Sequence, residues 1–199
     1  MRVPNPELER NIRDKTLELL MLKEPAEIGM RDIANACEVT ATTIYYYYSD
    51  KESLFETVKL DCLTALDSFV ETRVESVNTT GGKIREGMKA FRDWALANPK
   101  VALLVMGKLK PNLDVRADNL SQYYQSSNFA KDLLDRAVSE GLMECEDTQL
   151  YSSLCIAGLW GAIESVILNR TRPEYWEKGE YFTDRMIDLF WPGETGPEK

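Results

Sequence analysis

No histidine occurs anywhere in the 199 residues. That absence removes Ser-His-Asp and Cys-His catalysis, His-ligated zinc, and the Glu-x-x-His di-iron sites of helical bundles. Cysteine is scarce as well. Cys37, Cys62, Cys145 and Cys155 show no metal-knuckle spacing, so no metal or other cofactor is expected and the thiols are expected to be free and mostly buried. The longest uninterrupted apolar run, Leu154 to Ile163, falls far short of the roughly 18 residues that a membrane span needs. The opening "MRVPNPELER" holds no apolar segment that could act as a secretory signal. These two absences predict a cytoplasmic protein with no membrane partner, and they make the glycosylation patterns at Asn78 and Asn169 chance matches. Positive charge is in deficit: 24 Lys and Arg against 33 Asp and Glu leave a net charge of −9. General coating of nucleic acid is therefore disfavoured, while a small local DNA face is not.

One absence is local. From Val39 through Ser49, in "VTATTIYYYYS", no side chain carries a charge, and four tyrosines follow one another. On a helix four neighbours point in four directions, so no single core takes all of Tyr45, Tyr46, Tyr47 and Tyr48.

What is present is helical throughout. Leu8, Ile12, Leu19 and Leu20 form one stripe with Thr16 between, bounded by Pro6 and Pro25. "GMRDIANAC" reads as a short second helix and "TATTIYYYY" as a third. Ser49 or Asp50 then caps a long helix towards Val77, with Glu52 near the capping-box position, and "NTTGG" breaks it. Further helices are predicted from about Lys83 to Asn98, from Pro99 to about Leu109, over 114–141 with Gly141 as the stop, over 147–169 and over 178–191. No alternation of period two has useful length, and no internal repeat is visible. The fold class is all-α, with about nine helices. Two stretches imitate catalytic motifs. "TTGGKI" lacks the Ser or Thr after Lys83 and the preceding strand of a phosphate loop. Glu140, Glu144, Glu146 and Asp147 straddle a glycine break and read as a solvated junction rather than an acid–base pair. The chain is not expected to be an enzyme.

Residues 31–48 fit two short helices crossing at a steep angle, which demands a small apolar face between them. Ile33 and Ala34 supply that face, Cys37 closes the first helix, Val39 plugs the turn and Ile44 points inward, followed four residues later by Tyr48. Thr40 is placed to cap the second helix. Thr42, Thr43, Tyr45, Tyr46 and Tyr47 are then left on the outer and flanking surfaces, where the start of a second helix enters the major groove. Hydroxyls there bond base edges or phosphates, methyls and rings touch thymine methyls, and a carboxylate would be repelled.

The stretch "MRDIANACEVTATTIYYYYSDKESL" resembles the DNA-binding signature of the tetracycline-repressor (TetR) family, and "NIRDKTLELL" resembles the first helix of that domain. The resemblance covers about residues 8–55. It implies DNA contacts from Arg31, Thr40, Thr42, Thr43, Tyr45, Tyr46, Tyr47 and Lys51, and a core role for Tyr48, where the family usually has phenylalanine. Two positions depart from the pattern. Glu38 stands where the family usually has glycine in the turn; a left-handed backbone there costs a non-glycine residue about 1–2 kcal/mol, so an adjusted or strained turn is expected. Gly29 stands where a capping Ser or Thr is common. Residues 1–55 hold 7 basic and 10 acidic side chains, a local charge of −3, which predicts modest phosphate affinity and a shallow salt dependence.

The resemblance also implies a domain order, a helix-turn-helix domain over 1–50 and a larger helical effector-binding and dimerisation domain over 51–191, and the closing "PGETGPEK" reads as a disordered tail over 192–199. A single helix-turn-helix reads few base pairs, so a homodimer on two half-sites is expected. The helix over 150–168 is apolar on two sides, with Leu150, Leu154, Ala157, Gly161, Ser165 and Leu168 on one stripe and Trp160, Ile163 and Ile167 on another. Gly158 and Ala162 join Ala157 and Gly161 as small residues that admit a partner helix, and Phe182, Met186, Leu189 and Phe190 give the last helix a similar stripe. An effector pocket is expected from bulky side chains on several crossing helices: Phe69, Met88, Phe91, Trp94, Met106, Tyr123, Tyr124, Phe129 and Trp160, with Glu164 as a polar anchor for a cationic or hydroxylated ligand. The expected protein is a homodimeric transcriptional regulator, a repressor released from a palindromic double-stranded DNA operator by an apolar or cationic small molecule. A helical protein-interaction module, or a regulator without an effector pocket, is the alternative.

Overall fold

The computed structural model describes residues 5–107 and 124–192, and within them every regular element is helical, as an all-α chain requires. The chain divides into two compact units, residues 1–62 and 63–199; the division anticipated from the sequence stood at 50/51, the start of the long helix.

In the first unit α1, Pro6–Leu22, opens where the Asn5 side chain accepts from the backbone N–H groups of Glu7 (3.0 Å) and Leu8 (3.4 Å), with Pro6 in the first turn where a missing N–H costs nothing. Ile12, Thr16 and Leu20 are its buried line, one every four residues; Leu8 and Leu19 are half-buried. A single 3-10 turn, Pro25–Glu27, leads to α2, Met30–Ala36, and α3, Ala41–Tyr47. Asp50 caps α4, Lys51–Glu75, by accepting from the Ser53 N–H at 2.7 Å. The Arg13 Nε–Asp61 pair, 2.6 Å apart, ties α1 to α4 within this unit.

In the second unit the glycine pair lies inside a helix instead of breaking one. Thr79 caps α5, Thr80–Ala97, by accepting from the Gly82 N–H at 3.2 Å. A Cβ on Gly82 would lie 2.7 Å from both Thr79 Oγ1 and Val77 Cγ1, so this first turn admits only glycine there. α6 is Pro99–Met106. α7 is Gln125–Ser139 with Tyr124 as its N-cap, which makes it shorter than the helix anticipated from residue 114; residues 114–123 of that expectation lie outside the described residues. α8 is Thr148–Ile167, followed by the four-residue α9, Pro173–Trp176, and by α10, Gly179–Phe190. Of the anticipated tail, 193–199 lies outside the described residues.

α8 occupies the centre of this unit, packed by α5, α7, α9 and α10. Two apolar clusters flank it. One gathers Val74, Ile84, Leu133, Leu134, Ala137 and Trp191, the other Ala95, Ala102, Leu159, Ile163 and Ile187, and Met88 touches both. By length and composition alone α8 is the one helix among the described residues that could cross a membrane; here it is the packing centre of a helical unit. Charged groups stitch α5 to its neighbours. Arg73 on α4 holds Glu86 and Asp93, the buried Arg92 reaches Asp184 on α10 at 2.5 Å, and Arg85 reaches Asp188 at 2.5 Å and the Trp191 carbonyl at 2.9 Å.

Candidate nucleic-acid interface and effector pocket

The turn between α2 and α3 answers the question set by Glu38. The Glu38 N–H donates to the Asn35 carbonyl (3.1 Å) and the Val39 N–H to the Ala34 carbonyl (3.0 Å), the bond pair of a Schellman C-cap. That motif requires a left-handed residue between the two, and Glu38 supplies it with φ 56°. The turn is thus kept in its left-handed form and the residue is strained. The same bond pair closes α7 at Gly141 (φ 71°) and α8 at Asn169 (φ 52°), where glycine and asparagine suit the conformation better. At Gly29, which has no side chain to cap with, Asp32 reaches back and accepts from the Gly29 N–H at 2.8 Å.

The four tyrosines separate as a helix demands. Ile44 is fully buried and Tyr48 nearly so, while Tyr45 and Tyr46 keep about half their surface, 54% and 51%. Burial pushes the Tyr48 phenol up, against the pull of the adjacent Arg13 guanidinium. Tyr47 has a different task. Its hydroxyl accepts from the Asn5 N–H at 2.9 Å, which fastens the chain just before α1 to the end of α3, and its ring meets that of Tyr46 edge-on at 5.2 Å. Thr40 caps α3 by accepting from the Thr43 N–H at 3.3 Å, and the two threonine hydroxyls lie 3.0 Å apart. Thr42 is exposed on the same turn. Thr40, Thr42, Thr43, Tyr46 and Tyr47 share the wall of one surface recess with Asn5 and Leu8. The sequence signals passed over those last two, because the fastening of Asn5 is a contact across 42 residues. Arg31 is exposed on the first turn of α2, and the Lys51 ammonium donates to the Pro25 carbonyl at 3.1 Å while lying 5.5 Å over the Phe55 ring.

In the second unit the small residues of α8 face two ways. A Cβ on Gly161 would meet nothing within 4 Å, whereas one on Gly158 would lie 2.6 Å from the Phe190 ring. Leu150, Leu154, Ala157, Gly161 and Leu168 form an exposed line on α8, Ser165 is half-buried beside it, and on α10 Leu189 is 77% exposed. Ala162 is buried within the unit, Met186 packs against the second apolar cluster, and the half-buried Phe182 ring lies 5.7 Å from that of Tyr175.

Between the two apolar clusters lies a pocket of about 110 Å³. Met88, Phe91 and Phe129 from the anticipated set line it. Trp94 and Trp160 pack against the second cluster, Phe69 is exposed under Arg73, Met106 is half-buried at the end of α6, and Tyr124 is exposed. Glu164 is held by Arg170 at 3.1 Å, and Tyr123 lies outside the described residues. The structure adds Asp67, Ser126, Tyr151, Cys155 and Trp191 to the lining. Asp67 carried a legible signal, an acid at the spacing of Leu63, Leu66, Val70 and Val74. Burial pushes the Cys155 thiol up to about 11, so at neutral pH it stays protonated and is a poor nucleophile. Among the described residues no group of His, Cys, Asp or Glu side chains has the arrangement to hold a metal ion.

Residues 12–58 match the family model described as bacterial regulatory proteins, tetR family. No curated protein matches the chain. Among solved structures, the fatty acid degradation regulator FadR from Bacillus halodurans is similar with a TM-score of 0.76 and 16% identity, covering 98% of this chain and 99% of that one. FadR from Bacillus subtilis in complex with stearoyl-CoA has a TM-score of 0.76 and 15% identity, over 92% of this chain and 98% of that one. AibR in complex with isovaleryl coenzyme A and operator DNA has a TM-score of 0.69 and 17% identity, over 93% and 98%. At these identities the likeness is one of fold. Residues 12–58 thus carry the match to the tetR family of bacterial regulatory proteins, and the chain as a whole shares the fold of these solved regulators.

Proposed function

We propose that the chain is a homodimeric repressor that leaves a palindromic operator when a small apolar or cationic molecule fills the pocket of the second unit. The observation that carries the DNA half of this reading is the exposed, acid-free face of α3, with Thr42, Tyr45 and Tyr46 presented by a turn that tolerates a strained Glu38. Hydroxyls and ring edges at the start of such a helix suit base edges and thymine methyls. Arg31 and Lys51 act on phosphates from either side of it.

The exposed line of α8 together with Leu189 is the dimer surface in this reading. Gly161 admits a close partner helix, while Gly158 and Ala162, turned into the subunit, act in its own packing. AibR has been crystallised with both operator DNA and isovaleryl coenzyme A, which supports a fold able to serve both ligands. The coupling element is α4, since it contributes Lys51 to the first unit and Leu66, Asp67 and Val70 to the pocket of the second. A ligand shifts operator affinity only by its different affinity for the competent and incompetent dimers, typically about 1–3 kcal/mol. Selection of bound duplexes from a random DNA pool tests the reading. Enrichment of two half-sites related by a dyad is the expected result, and recovery of no common sequence would favour the protein-interaction alternative.

A further inference from the structure

Among the described residues of the second unit, Asp67 is the one acid whose burial the fold leaves unexplained. Its side chain is 5% exposed and belongs to the inner stripe of α4. One carboxylate oxygen accepts from the Ser126 hydroxyl of α7, but the other, Oδ2, is buried with no hydrogen-bond partner among the described residues. The other acids that hold this unit together are matched by guanidinium groups: Asp93 by Arg73 and Arg92, Asp184 by Arg92, Asp188 by Arg85. The remaining polar groups of the pocket wall are also satisfied. Tyr151 Oη donates to the Phe190 carbonyl at 2.8 Å, Ser152 Oγ donates to the Gln149 carbonyl at 2.9 Å, and Glu71 accepts from Gln125. An unmet buried acceptor is costly, so one retained at the wall of a pocket points to a partner that arrives from outside.

The pocket states what that partner is. Its described lining includes two carboxylates, Asp67 and Glu71, one helical turn apart, and no Lys or Arg. These two carboxylates repel a carboxylate or phosphate head. Phe91, Phe129 and Trp191 line the same space, and aromatic faces attract a desolvated cation. Burial pushes the Asp67 carboxyl up, and the negative charge of Glu71 adds to this while Ser126 opposes it; a bound cation would reverse that penalty. An engineered cavity of about 150 Å³ takes benzene, so about 110 Å³ suits an apolar body of roughly four or five carbons.

We propose that Asp67 is the polar anchor of this pocket and that the effector is a small protonated amine with an apolar body of that size, its ammonium donating to Asp67 Oδ2. The proposal rests on the effector-pocket reading given above and replaces Glu164 as the anchor of a cationic ligand.

The test is a head-group series on one carbon chain: n-pentylamine, 1-pentanol and n-pentanoate, titrated at neutral pH into the full-length protein and followed by tryptophan fluorescence, with operator affinity measured in the same samples. The amine is expected to bind at least tenfold more tightly than the alcohol, and the pentanoate more weakly than either. Asp67→Asn keeps the shape and the Ser126 contact but removes the charge. It should bring the amine down to the alcohol's affinity and leave the alcohol unchanged, and a heating curve no lower than that of the wild type would confirm that the variant folds. Equal or tighter binding of alcohol or pentanoate by the wild-type protein would overturn the proposal whether or not the variant folds, and would leave the pocket standing. No binding by any probe would overturn the pocket reading and the proposal together. Amine binding that depends on Asp67 without moving operator affinity would uphold the anchor and sink the effector role.

Discussion

Replacing Glu38 by glycine is expected to make the protein both more stable and a better DNA binder, by two separable routes. Glu38 is held at φ 56° by the bond pair that closes α2. A left-handed backbone at a non-glycine residue costs about 1–2 kcal/mol. Glycine removes that cost but loses more freedom on folding, about 0.5–1 kcal/mol. The net gain is therefore about 0–1.5 kcal/mol, and at about 2–4 °C per kcal/mol for a chain of this length the melting temperature should rise by up to about 6 °C. The second route is charge. Removing one acid changes the balance of residues 1–55 from 7 basic and 10 acidic to 7 and 9, from −3 to −2. A unit charge roughly 10 Å from a phosphate is worth about 0.4 kcal/mol in water before screening, near twofold in Kd at low salt. Glu38→Gln tells the routes apart: it removes the charge but keeps a side chain in the left-handed region, so it should gain DNA affinity without gaining stability. Thermal unfolding and a salt series of operator titrations measure both quantities. A glycine variant that melts below the wild-type temperature would refute the strain, and a glutamine variant with unchanged Kd at low salt would refute the charge effect.

The aromatic collar makes a second prediction. Thr42→Ala or Tyr46→Ala should cost about 1–3 kcal/mol of base discrimination where a good contact is lost, whereas Tyr48→Ala should lower stability by about 3 kcal/mol or more by emptying core volume; equal, purely thermal losses at all three would make the collar packing. For the dimer, Gly161→Trp has open space around it and should yield a folded monomer in sedimentation that no longer binds operator, while Gly158→Ala presses on Phe190 and should lower the melting temperature. A wild type that is monomeric at micromolar concentration would end the dimer reading. Acid stability follows from the ion pairs of α5. Burial pushes the Asp93 carboxyl up, but Arg73 and Arg92 together outweigh it and hold it below its ordinary 3.8; the Arg85 hydrogen bond holds Asp188 low as well. A depressed carboxyl stabilises the fold above 3.8 and loses that contribution as pH falls through its lowered value. Denaturant midpoints should therefore drop steeply below about pH 3.8, and Asp93→Asn should flatten that drop.

Much of this was legible along the chain because it depends on neighbours in sequence. Helix caps are such features: Thr40 and Asp50 each accept from an N–H three residues on. So is the Ile44–Tyr48 spacing that turns one tyrosine inward and leaves Tyr45 and Tyr46 outside. The helix-turn-helix is local enough for its residues to identify it, down to the strained Glu38. The glycine pair was misleading for the same reason. Gly81 and Gly82 resemble a break when only propensity is weighed, but the Thr79 cap and the crowding at Val77 turn them into a first turn.

Only the tertiary structure decided which faces of the second unit are inside. A helix apolar on two sides, such as α8, does not say which side its own subunit covers; the position of Phe190 against Gly158, 32 residues away in the chain, settles that. The pocket follows the same rule. Large side chains at helical spacing fill a core or line a cavity depending on where other helices cross. Trp94 and Trp160 entered the packed cluster, while Met88, Phe91 and Phe129 came to border open space. Asp67 was visible as an acid among apolar neighbours, but its unmet oxygen exists only because α7 brings one serine to it and no cation among the described residues follows.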